Sequence, residues 1–395
     1  MIPFFRPSVG EEEIAAVAEV LRSGWLTTGA QCQAFEAEFA AYVGARHAVA
    51  VNSCTAALHL ALEAIGLKRG DLVLVPVFTF AATAEVVRYF DAEPVFVDCN
   101  PETLCMSLVA ARTTIDNLSA ESRSRLHAII PMHYAGQPLD VEAARFLALD
   151  FGIKVVEDAA HSLPAEYRDA AGAWYRVGAG TADASCFSFY ANKTITTGEG
   201  GMLVTDNDGI AERARIMSLH GISKDAWKRY TDTGSWYYEI AAPGFKYNLT
   251  DIAAALGRCQ LRKCDALAVA RRRLATRYTE ALADVAELDM PREIEGRRHA
   301  WHLYVIRLNL GRLTIDRARF IEELKGRGVC CSVAWMPLHL HPYYRDRYGY
   351  QPDDFPVADR EWLRIISLPL FPGMTDTEQD AVIAAVTTVA QEYRR

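Results

Sequence analysis

The chain has 395 residues, and its content of 51% hydrophobic and 23% charged residues excludes a disordered protein. A net charge of −8 gives no indication of a nucleic-acid-binding surface. The first residues lack a basic region followed by an apolar run, and no apolar stretch is long enough to span a bilayer. Nine cysteines without regular spacing favour a reducing compartment over a disulfide framework. We therefore expect a cytoplasmic enzyme that binds neither nucleic acid nor a membrane.

Short apolar runs typical of buried strands alternate with segments of helical periodicity over the first 190 residues. Strands are predicted at 47–51, 72–75, 94–97, 126–130, 153–157 and 184–189, and helices at 55–65, at 81–90 and from residue 140 onward. Near-continuous apolar strands separated by helices indicate an α/β fold, with a mostly parallel sheet covered by helices on both faces.

The pattern changes after about residue 265, where a long arginine-rich helical stretch begins a different kind of sequence. Beyond it we predict a strand at 301–308, a helix at 316–325 and a last helix from residue 375. The sequence therefore predicts a large α/β domain over 1–265, and a linking helix with a smaller α+β domain over 266–395.

One long segment, 221–248, has neither helical nor strand periodicity, yet it contains two Trp and four Tyr. Long irregular loops in compact proteins are usually functional or interfacial. We predict that this segment forms the wall of a site or a contact between subunits.

A single lysine, Lys193, stands between the predicted strand at 184–189 and a glycine-rich run at 198–201, which we predict to be a turn. The chain contains only eight lysines against 34 arginines, so it generally uses arginine for positive charge. Lysine can do what a guanidinium cannot, because its amine can lose a proton and form an imine with a carbonyl. On this residue alone, a solvated surface lysine remains the alternative.

Asp158 strengthens the case for an imine-forming lysine, because it lies at the carboxyl end of another predicted apolar strand. Ligand sites in open parallel sheets form at that edge, where Asp158 and Lys193 are expected to meet. An amine and a carboxylate together suit pyridoxal phosphate, since the lysine holds the aldehyde and the aspartate keeps the pyridine nitrogen protonated. The alternative role for Asp158 is to cap the following turn.

A phosphate group also needs donors, and the junction at 52–59 joins a strand to a helix through small hydroxyl residues. The free N–H groups of a helix start can bind an anion. Ordinary N-capping by Ser53 or Thr55 uses the same geometry and stays open. Ser188 could add a hydroxyl group, and Phe80 could either stack on a planar ring or pack in the core.

Taken together, these segments resemble the DegT/StrS family of pyridoxal-phosphate-dependent nucleotide-sugar aminotransferases. The matching segments are SGWLTTG (23–29), NSCTAALH (52–59), PxFTF (76–80), EDAAH (157–161), SFxxxK (188–193), GEGG (198–201), GFKYNLTD (244–251) and ISLPLFPGM (366–374). The resemblance covers nearly the whole chain. It implies the fold of PLP-dependent transferases of type I, which is like that of aspartate aminotransferase, and a homodimer with active sites at the subunit interface.

The resemblance implies a role for each matching residue around the cofactor. Lys193 would hold pyridoxal phosphate, Asp158 would contact its ring nitrogen, and His161 would lie beside the ring near the phenolic oxygen. Phe80 would stack on the ring face. The residues expected to bind the phosphate, the first two largely through their backbone, are Thr55, Ala56 and Ser188.

Other matching positions are expected to serve the second subunit or the substrate. Asn248 would reach the phosphate bound in the other subunit, although capping of a helix that starts near Thr250 is the alternative. Cys54 departs from the smaller Gly or Ala of the family pattern, which backbone contacts should tolerate. The residues we consider for substrate contact are Thr28, Lys246 and His339. We predict no metal site, because His339-x-His341 lacks a third ligand.

The resemblance also implies the reaction, in which an amino group passes from L-glutamate to the keto group of a nucleotide-linked sugar. Some relatives carry His in place of the lysine and act as dehydratases, so Lys193 favours transamination. Segments 6–10, 25–28 and 246–248 look most similar to enzymes of UDP-linked 4-keto sugars, such as the precursor of 4-amino-arabinose, and dTDP-linked sugars share much of this pattern. A 3-keto sugar, a regulator that binds the cofactor without catalysis and a nicotinamide-dependent oxidoreductase stay open as alternatives, although no glycine fingerprint follows the first strand to support the last.

Overall fold

The computed structural model describes residues 1–180, 182–222 and 238–395. Its strands are β1 (His47–Val51), β2 (Leu72–Pro76), β3 (Glu93–Val97), β4 (Leu126–Ile129), β5 (Lys154–Asp158), β6 (Glu166–Arg168), β7 (Trp174–Arg176), β8 (Ala184–Ser188), β9 (Gly201–Thr205), β10 (Leu288–Asp289), β11 (Arg297–Arg298), β12 (Tyr304–Leu308) and β13 (Ile365–Leu368). The prediction for the segment 221–248 falls largely on positions 223–237, which lie outside the described residues.

The helices connect the strands and cover the sheets. They are α1 (Glu11–Ser23), α2 (Ala30–Val43), α3 (Cys54–Ala64), α4 (Ala81–Arg88), α5 (Leu108–Asn117), α6 (Ala120–Ser124), α7 (Val141–Phe151), α8 (Asp208–Ser218), α9 (Asp251–Ala281), α10 (Arg317–Gly326), α11 (Pro342–Tyr348), α12 (Pro356–Trp362) and α13 (Asp376–Glu392). No helix of the described ranges is long and apolar enough to cross a membrane.

The main sheet has seven strands in the order β1-β9-β8-β5-β4-β2-β3. All neighbouring pairs from β8 to β3 are parallel, whereas β9 runs antiparallel to both β1 and β8. The sheet therefore has one reversed strand, and the carboxyl ends of the other six strands lie on one edge. The predicted mostly parallel α/β sheet is confirmed.

Two details of the sequence prediction are corrected. Strand β9 follows directly from the glycine-rich run at 198–201, which we predicted only as a turn. The strand predicted at 301–308 begins only at Tyr304, because Trp301 has a positive φ of 51° and the Leu303 N–H donates to the Ala135 carbonyl. Residues 301–303 thus pack against a loop of the main sheet and do not pair in the smaller sheet.

Helix α9 joins the large and small parts of the molecule, and the predicted boundary at residue 265 falls inside it. In its first half, Leu261 and Cys264 pack among residues of α2 and the main sheet. In its second half, Leu274 and Tyr278 pack in a separate core formed with the sheet β10-β12-β13 and helices α10 and α13. The helix thereby fixes the small sheet relative to the carboxyl edge of the main one.

Candidate active site

The predicted cofactor residues gather where the parallel strands end. Asp158 is the last residue of β5 and Ser188 the last of β8, while Gly201 opens the reversed strand β9. In the register of the sheet, Ser188 is paired with Gly201, and Gly201 is paired with Val51 at the end of β1. The adjacent strands β5, β8 and β9 therefore place their candidate functional residues at the same edge of the sheet, where ligand sites of such sheets generally form.

Asp158 is held from two sides in a buried position, with 3% of its surface exposed. One carboxylate oxygen accepts a hydrogen bond from the Thr83 hydroxyl at 2.7 Å, and the other accepts from the Ala160 N–H at 3.1 Å. Burial raises the pKa of this carboxyl, while the Thr83 and Ala160 bonds and the charge of Lys193 lower it. The capping of its own turn, which was the alternative role considered for Asp158, is therefore observed, and Thr83 of α4 orients the same carboxylate.

Lys193 lies half-buried in the turn that follows β8, where its N–H donates to the Tyr190 carbonyl at 2.9 Å. Burial lowers the pKa of its amine to about 8, against opposing contributions from Cys54 and Asp158. Because Asp158 and Lys193 each shift the pKa of the other, the two side chains share one electrostatic environment. An amine with this pKa is neutral often enough to attack an aldehyde, unlike a solvated surface lysine.

The helix start beside this turn is brought unusually close to β9. A Cβ placed on Gly201 would lie 2.5 Å from the Ser53 carbonyl oxygen and 2.6 Å from the Cys54 nitrogen, so only glycine fits without a shift of the backbone. Since Ser188 pairs with Gly201, this residue lies near the start of α3, and its hydroxyl accepts from the Tyr190 N–H at 3.3 Å. The Ser53 hydroxyl accepts from the Ala56 N–H at 3.0 Å. Of the two capping residues considered from the sequence, Ser53 is the N-cap.

An aromatic wall lines one side of the edge. The ring of His161, which is 4% exposed, stacks on Trp335 with centroids 5.0 Å apart and lies 4.1 Å from the ring of His302. Phe80 is 55% exposed, and its ring centroid lies 5.9 Å from that of Trp335. Phe80 is thus not a core residue, and its face is available to a planar ligand at the mouth of the site.

His161 is a neutral imidazole in this environment. Burial lowers the pKa of His161 well below its ordinary value, and the neighbouring charge of Lys193 lowers it further. Its Nδ1 atom is buried and has no hydrogen-bond partner among the described residues. A buried nitrogen of this kind, beside Lys193, is suited to bind a polar atom of a cofactor.

Asn248 and Thr28 form a second group, beyond the edge strand β1. The Asn248 amide donates to the Thr28 hydroxyl at 2.7 Å, and Asn248 forms an isolated bridge with Val51. Helix α9 is capped by the Thr250 hydroxyl, which accepts from Ala253, so Asn248 is not its N-cap. Thr28 and Asn248 are therefore hydrogen-bonded to each other near the end of β1, and the Thr28 hydroxyl also donates to the Leu249 carbonyl at 2.5 Å.

Two predicted substrate residues have contrasting positions. Lys246 is exposed, and its backbone carbonyl accepts a hydrogen bond from the Asn52 side-chain amide at 3.3 Å. The segment that contains Lys246 therefore contacts the residues just before α3. His339 has an exposed fraction of 0%, its Nε2 lies 3.0 Å from Asp359 Oδ1, and its ring packs on Phe355. The structure does not bring His339 to the site, because its imidazole is enclosed by its own part of the chain.

Three residues of the site had not been singled out in the sequence. Thr83 orients Asp158, and Trp335 and His302 flank His161. The nearby segment 337–341 contains two histidines that suggest a metal or substrate site, whereas Trp335 has no regular spacing from the other motifs. These contacts join residues 75 or more positions apart, and sequence periodicity does not indicate them.

Comparisons with known proteins agree with this geometry. A family model described as the DegT/DnrJ/EryC1/StrS aminotransferase family matches residues 7–387. The spore coat polysaccharide biosynthesis protein SpsC of Bacillus subtilis is 43% identical over 391 residues, which cover 99% of this chain and 97% of SpsC. An uncharacterised protein of Methanocaldococcus jannaschii is 46% identical over 393 residues, which cover 100% of this chain and 98% of that protein.

Solved structures of sugar aminotransferases have the same fold as this chain. Spr1654 of Streptococcus pneumoniae, assigned as a sugar aminotransferase, superposes in its pyridoxamine phosphate form with a TM-score of 0.90 at 31% identity, covering 99% of this chain and 100% of that one. Its pyridoxal phosphate form gives a TM-score of 0.88 at 30% identity, with 99% of each chain covered.

The residues at the carboxyl edge fit pyridoxal phosphate. Lys193 supplies an amine with a lowered pKa, and Asp158 supplies a buried carboxylate. His161 has an imidazole nitrogen without a partner among the described residues, and the start of α3, packed against β9, offers backbone N–H groups for a phosphate. The match to the family model and the relatives spans almost the full chain. The chain therefore belongs to the DegT/DnrJ/EryC1/StrS aminotransferase family and is a pyridoxal-phosphate-dependent sugar aminotransferase of fold type I.

Proposed function

We propose that the enzyme moves an amino group from L-glutamate to the 4-keto group of a UDP- or dTDP-linked sugar and so gives a 4-amino sugar nucleotide. The observation that carries this proposal is the Lys193 amine, with a pKa of about 8, beside the buried carboxylate of Asp158. The family assignment supports the sugar as acceptor. The donor, the nucleotide and the position of the keto group belong to the proposal.

When bound, pyridoxal phosphate supplies an aldehyde that condenses with amines and a ring that accepts the electron pair left by a departing proton. The Asp158 carboxylate would stabilise a positive charge on the ring nitrogen, because an opposite charge in a buried position raises the pKa of that nitrogen. The Thr83 and Ala160 hydrogen bonds leave the carboxylate in one orientation. Asp158 therefore acts through its charge and its fixed position.

Lys193 has two tasks in the proposed reaction. Its Nζ would hold the cofactor aldehyde in the resting enzyme and, as a free amine, would take the proton from the glutamate α-carbon. In the second half of the reaction, Nζ would return a proton to the sugar carbon that receives the amino group. One base can serve both halves because the end of β8 fixes the reach of its side chain.

The cofactor phosphate would lie at the start of α3, held by the backbone of Thr55 and Ala56 and by the Ser188 hydroxyl. The close packing of Gly201 on the Ser53–Cys54 backbone supports this site, because it brings Ser188 beside the helix start. The Ala56 N–H is bound to the Ser53 hydroxyl, so Ala56 would share that donor between the cap and the phosphate. The helix dipole favours an anion at this end.

The substrate would bind from the outer side of β1, near Thr28, Lys246 and Asn248. A sugar nucleotide carries a diphosphate, and the exposed Lys246 supplies a cation for it. In the proposed homodimer, Asn248 would reach the cofactor phosphate of the other subunit, and it is free of a capping role because Thr250 caps α9. His339 is omitted from this site because it is buried elsewhere.

The proposal is tested by running the two halves of the reaction separately. The enzyme loaded with pyridoxal phosphate and given L-glutamate alone should release 2-oxoglutarate in an amount equal to the number of sites. The resulting enzyme should then be offered UDP-, dTDP- and GDP-linked 4-keto and 3-keto sugars, with the amino products read by mass spectrometry. Reaction with a UDP- or dTDP-linked 4-keto sugar supports the proposal, and reaction only with a 3-keto sugar contradicts it.

A further inference from the structure

His302 occupies a buried position between the site and a small, partly open cavity. It is 4% exposed, and its ring lies 4.1 Å from that of His161 on one side. His302 also lines a cavity in which the centre of a water molecule can occupy about 10 Å³. The other lining residues are Asn192 and apolar residues that include Phe4 and Leu368. Asn192 directly precedes Lys193, so the cavity adjoins the turn that carries the catalytic amine.

Two residues that line the cavity, His302 and Asn192, each have a buried polar atom without a partner among the described residues. His302 Nδ1 and Asn192 Oδ1 are both buried and form no hydrogen bond with any described residue. Buried polar groups are nearly always hydrogen-bonded, and ordered water commonly serves where no protein group does. The cavity is just large enough for one water molecule. A water that accepts from one of these atoms and donates to the other satisfies both.

The backbone around His302 is fixed from outside the site. The fully buried Arg271 donates from Nη1 to the carbonyls of Trp301, His302 and Leu370 at 3.3, 3.2 and 3.0 Å. The Leu303 N–H donates to a loop of the main sheet. His302 is therefore part of a rigid frame that joins α9, the small sheet and the edge of the main sheet.

We propose that His302 is a positioning residue for Lys193 and His161. Its Nδ1–H donates to one water molecule, which donates to Asn192 Oδ1 and so fixes the turn before Lys193, while the imidazole ring supports the ring of His161. This inference rests on the proposed roles of Lys193 and His161, and it does not depend on which sugar is the acceptor. Phe4, from the N-terminal segment, helps to close the cavity.

The protonation state of His302 agrees with this role. Burial is the main cause that lowers its pKa well below the ordinary value, and a positive charge on any of the neighbouring groups, which are His161, Lys193, Arg271 and His299, lowers it further. The ring is therefore neutral and carries a single N–H. That proton can be donated to the water, and no charge is placed beside the Lys193 amine.

The test compares His302→Phe with His302→Asn, which retains a polar atom near Nδ1, and with His339→Phe as the matched control. His339 is also a fully buried histidine packed on an aromatic ring, but it lies away from the site. The readouts are the rate of the glutamate half-reaction, the KM for glutamate and the pH midpoint of the visible absorbance of the bound cofactor. No sugar is present, so a failure here is separate from a failure of the proposed acceptor.

We expect His302→Phe to slow the half-reaction about 10- to 100-fold and to move the pH midpoint, with the KM for glutamate nearly unchanged. His302→Asn should recover part of the loss, and His339→Phe should change none of the three readouts. An unchanged rate and midpoint in His302→Phe overturns the proposal. If that variant does not fold, Asn192→Leu provides the same test, because it removes the other partner of the water from a half-buried turn.

Discussion

Gly201 and Ser53 lie in direct backbone contact, although 148 positions of the sequence separate them. The space that a Cβ of residue 201 would need is taken by the Ser53 carbonyl and the Cys54 nitrogen. This contact joins the start of β9 to the start of α3, and it places Ser188 beside the helix end proposed to bind phosphate.

Gly201→Ala should therefore weaken pyridoxal phosphate binding by about 5- to 150-fold, because overpacking of about 1–3 kcal/mol must be relieved by moving the start of α3. The dissociation constant can be measured by titrating the apoenzyme with the cofactor. Gly326→Ala is the control, since a Cβ there meets no atom within 4 Å. Equal affinity in Gly201→Ala and the control would show that this contact does not shape the phosphate site.

Substitutions of Thr83 test how strongly the charge of the Asp158 carboxylate affects the reaction, without changing Asp158 itself. Thr83→Val removes the 2.7 Å hydrogen bond that lowers the pKa of Asp158, so this pKa should rise and less negative charge should face the ring nitrogen. We expect about a 10-fold slower glutamate half-reaction, measured in single-turnover experiments. Thr83→Ser should restore the rate, and failure of serine to rescue valine would mean that the threonine acts through packing.

Asp158→Asn removes the charge itself and should have a larger effect. We expect the half-reaction to slow by at least about 100-fold while the lysine still binds the cofactor, because the amide cannot stabilise a positive ring nitrogen. Absorbance spectra of the variant would report cofactor binding, and rapid mixing with glutamate would report the rate. A rate equal to that of the wild type would place Asp158 away from the ring nitrogen.

The pH dependence of cofactor uptake should follow Lys193. Only the neutral amine can attack the aldehyde, and burial lowers the pKa of this amine to about 8. Uptake of pyridoxal phosphate by the apoenzyme should accordingly accelerate as the pH rises through about 8 and level off above it. Because Asp158 raises the pKa of Lys193, Asp158→Asn should move the midpoint to lower pH. A midpoint near 10.5 would indicate a solvated lysine.

Much of the fold and part of the site could be predicted from sequence because the relevant signals are local. Apolar runs identified six strands of the main sheet, and the rule that ligands bind at the carboxyl edge brought Asp158 and Lys193 together. Strand β9 was missed because the glycines at its start favour a turn. Glycine is needed at position 201 because the Ser53 backbone lies where a Cβ would be. A local pattern does not reveal which distant backbone a glycine accommodates.

The residues that support the site were harder to predict, since their partners come from other parts of the chain. Thr83 contacts Asp158 across 75 positions, and the Trp335 ring lies on His161 in the folded molecule only. His339 illustrates the opposite error, in which a residue type suited to substrate binding is buried against Asp359. Residue chemistry indicated the reacting groups, but only the packing distinguishes positioning residues from buried structural ones.

The most direct test of the account is to locate the covalent bond to the cofactor. The purified holoenzyme should be reduced with borohydride, digested and mapped by mass spectrometry, in parallel with Lys193→Ala and with Lys154→Ala, a surface lysine paired with Asp183. We predict a pyridoxyl group on Lys193 in the wild type and in Lys154→Ala, and neither label nor transamination in Lys193→Ala. A label on another lysine, or full turnover by Lys193→Ala, would contradict the account.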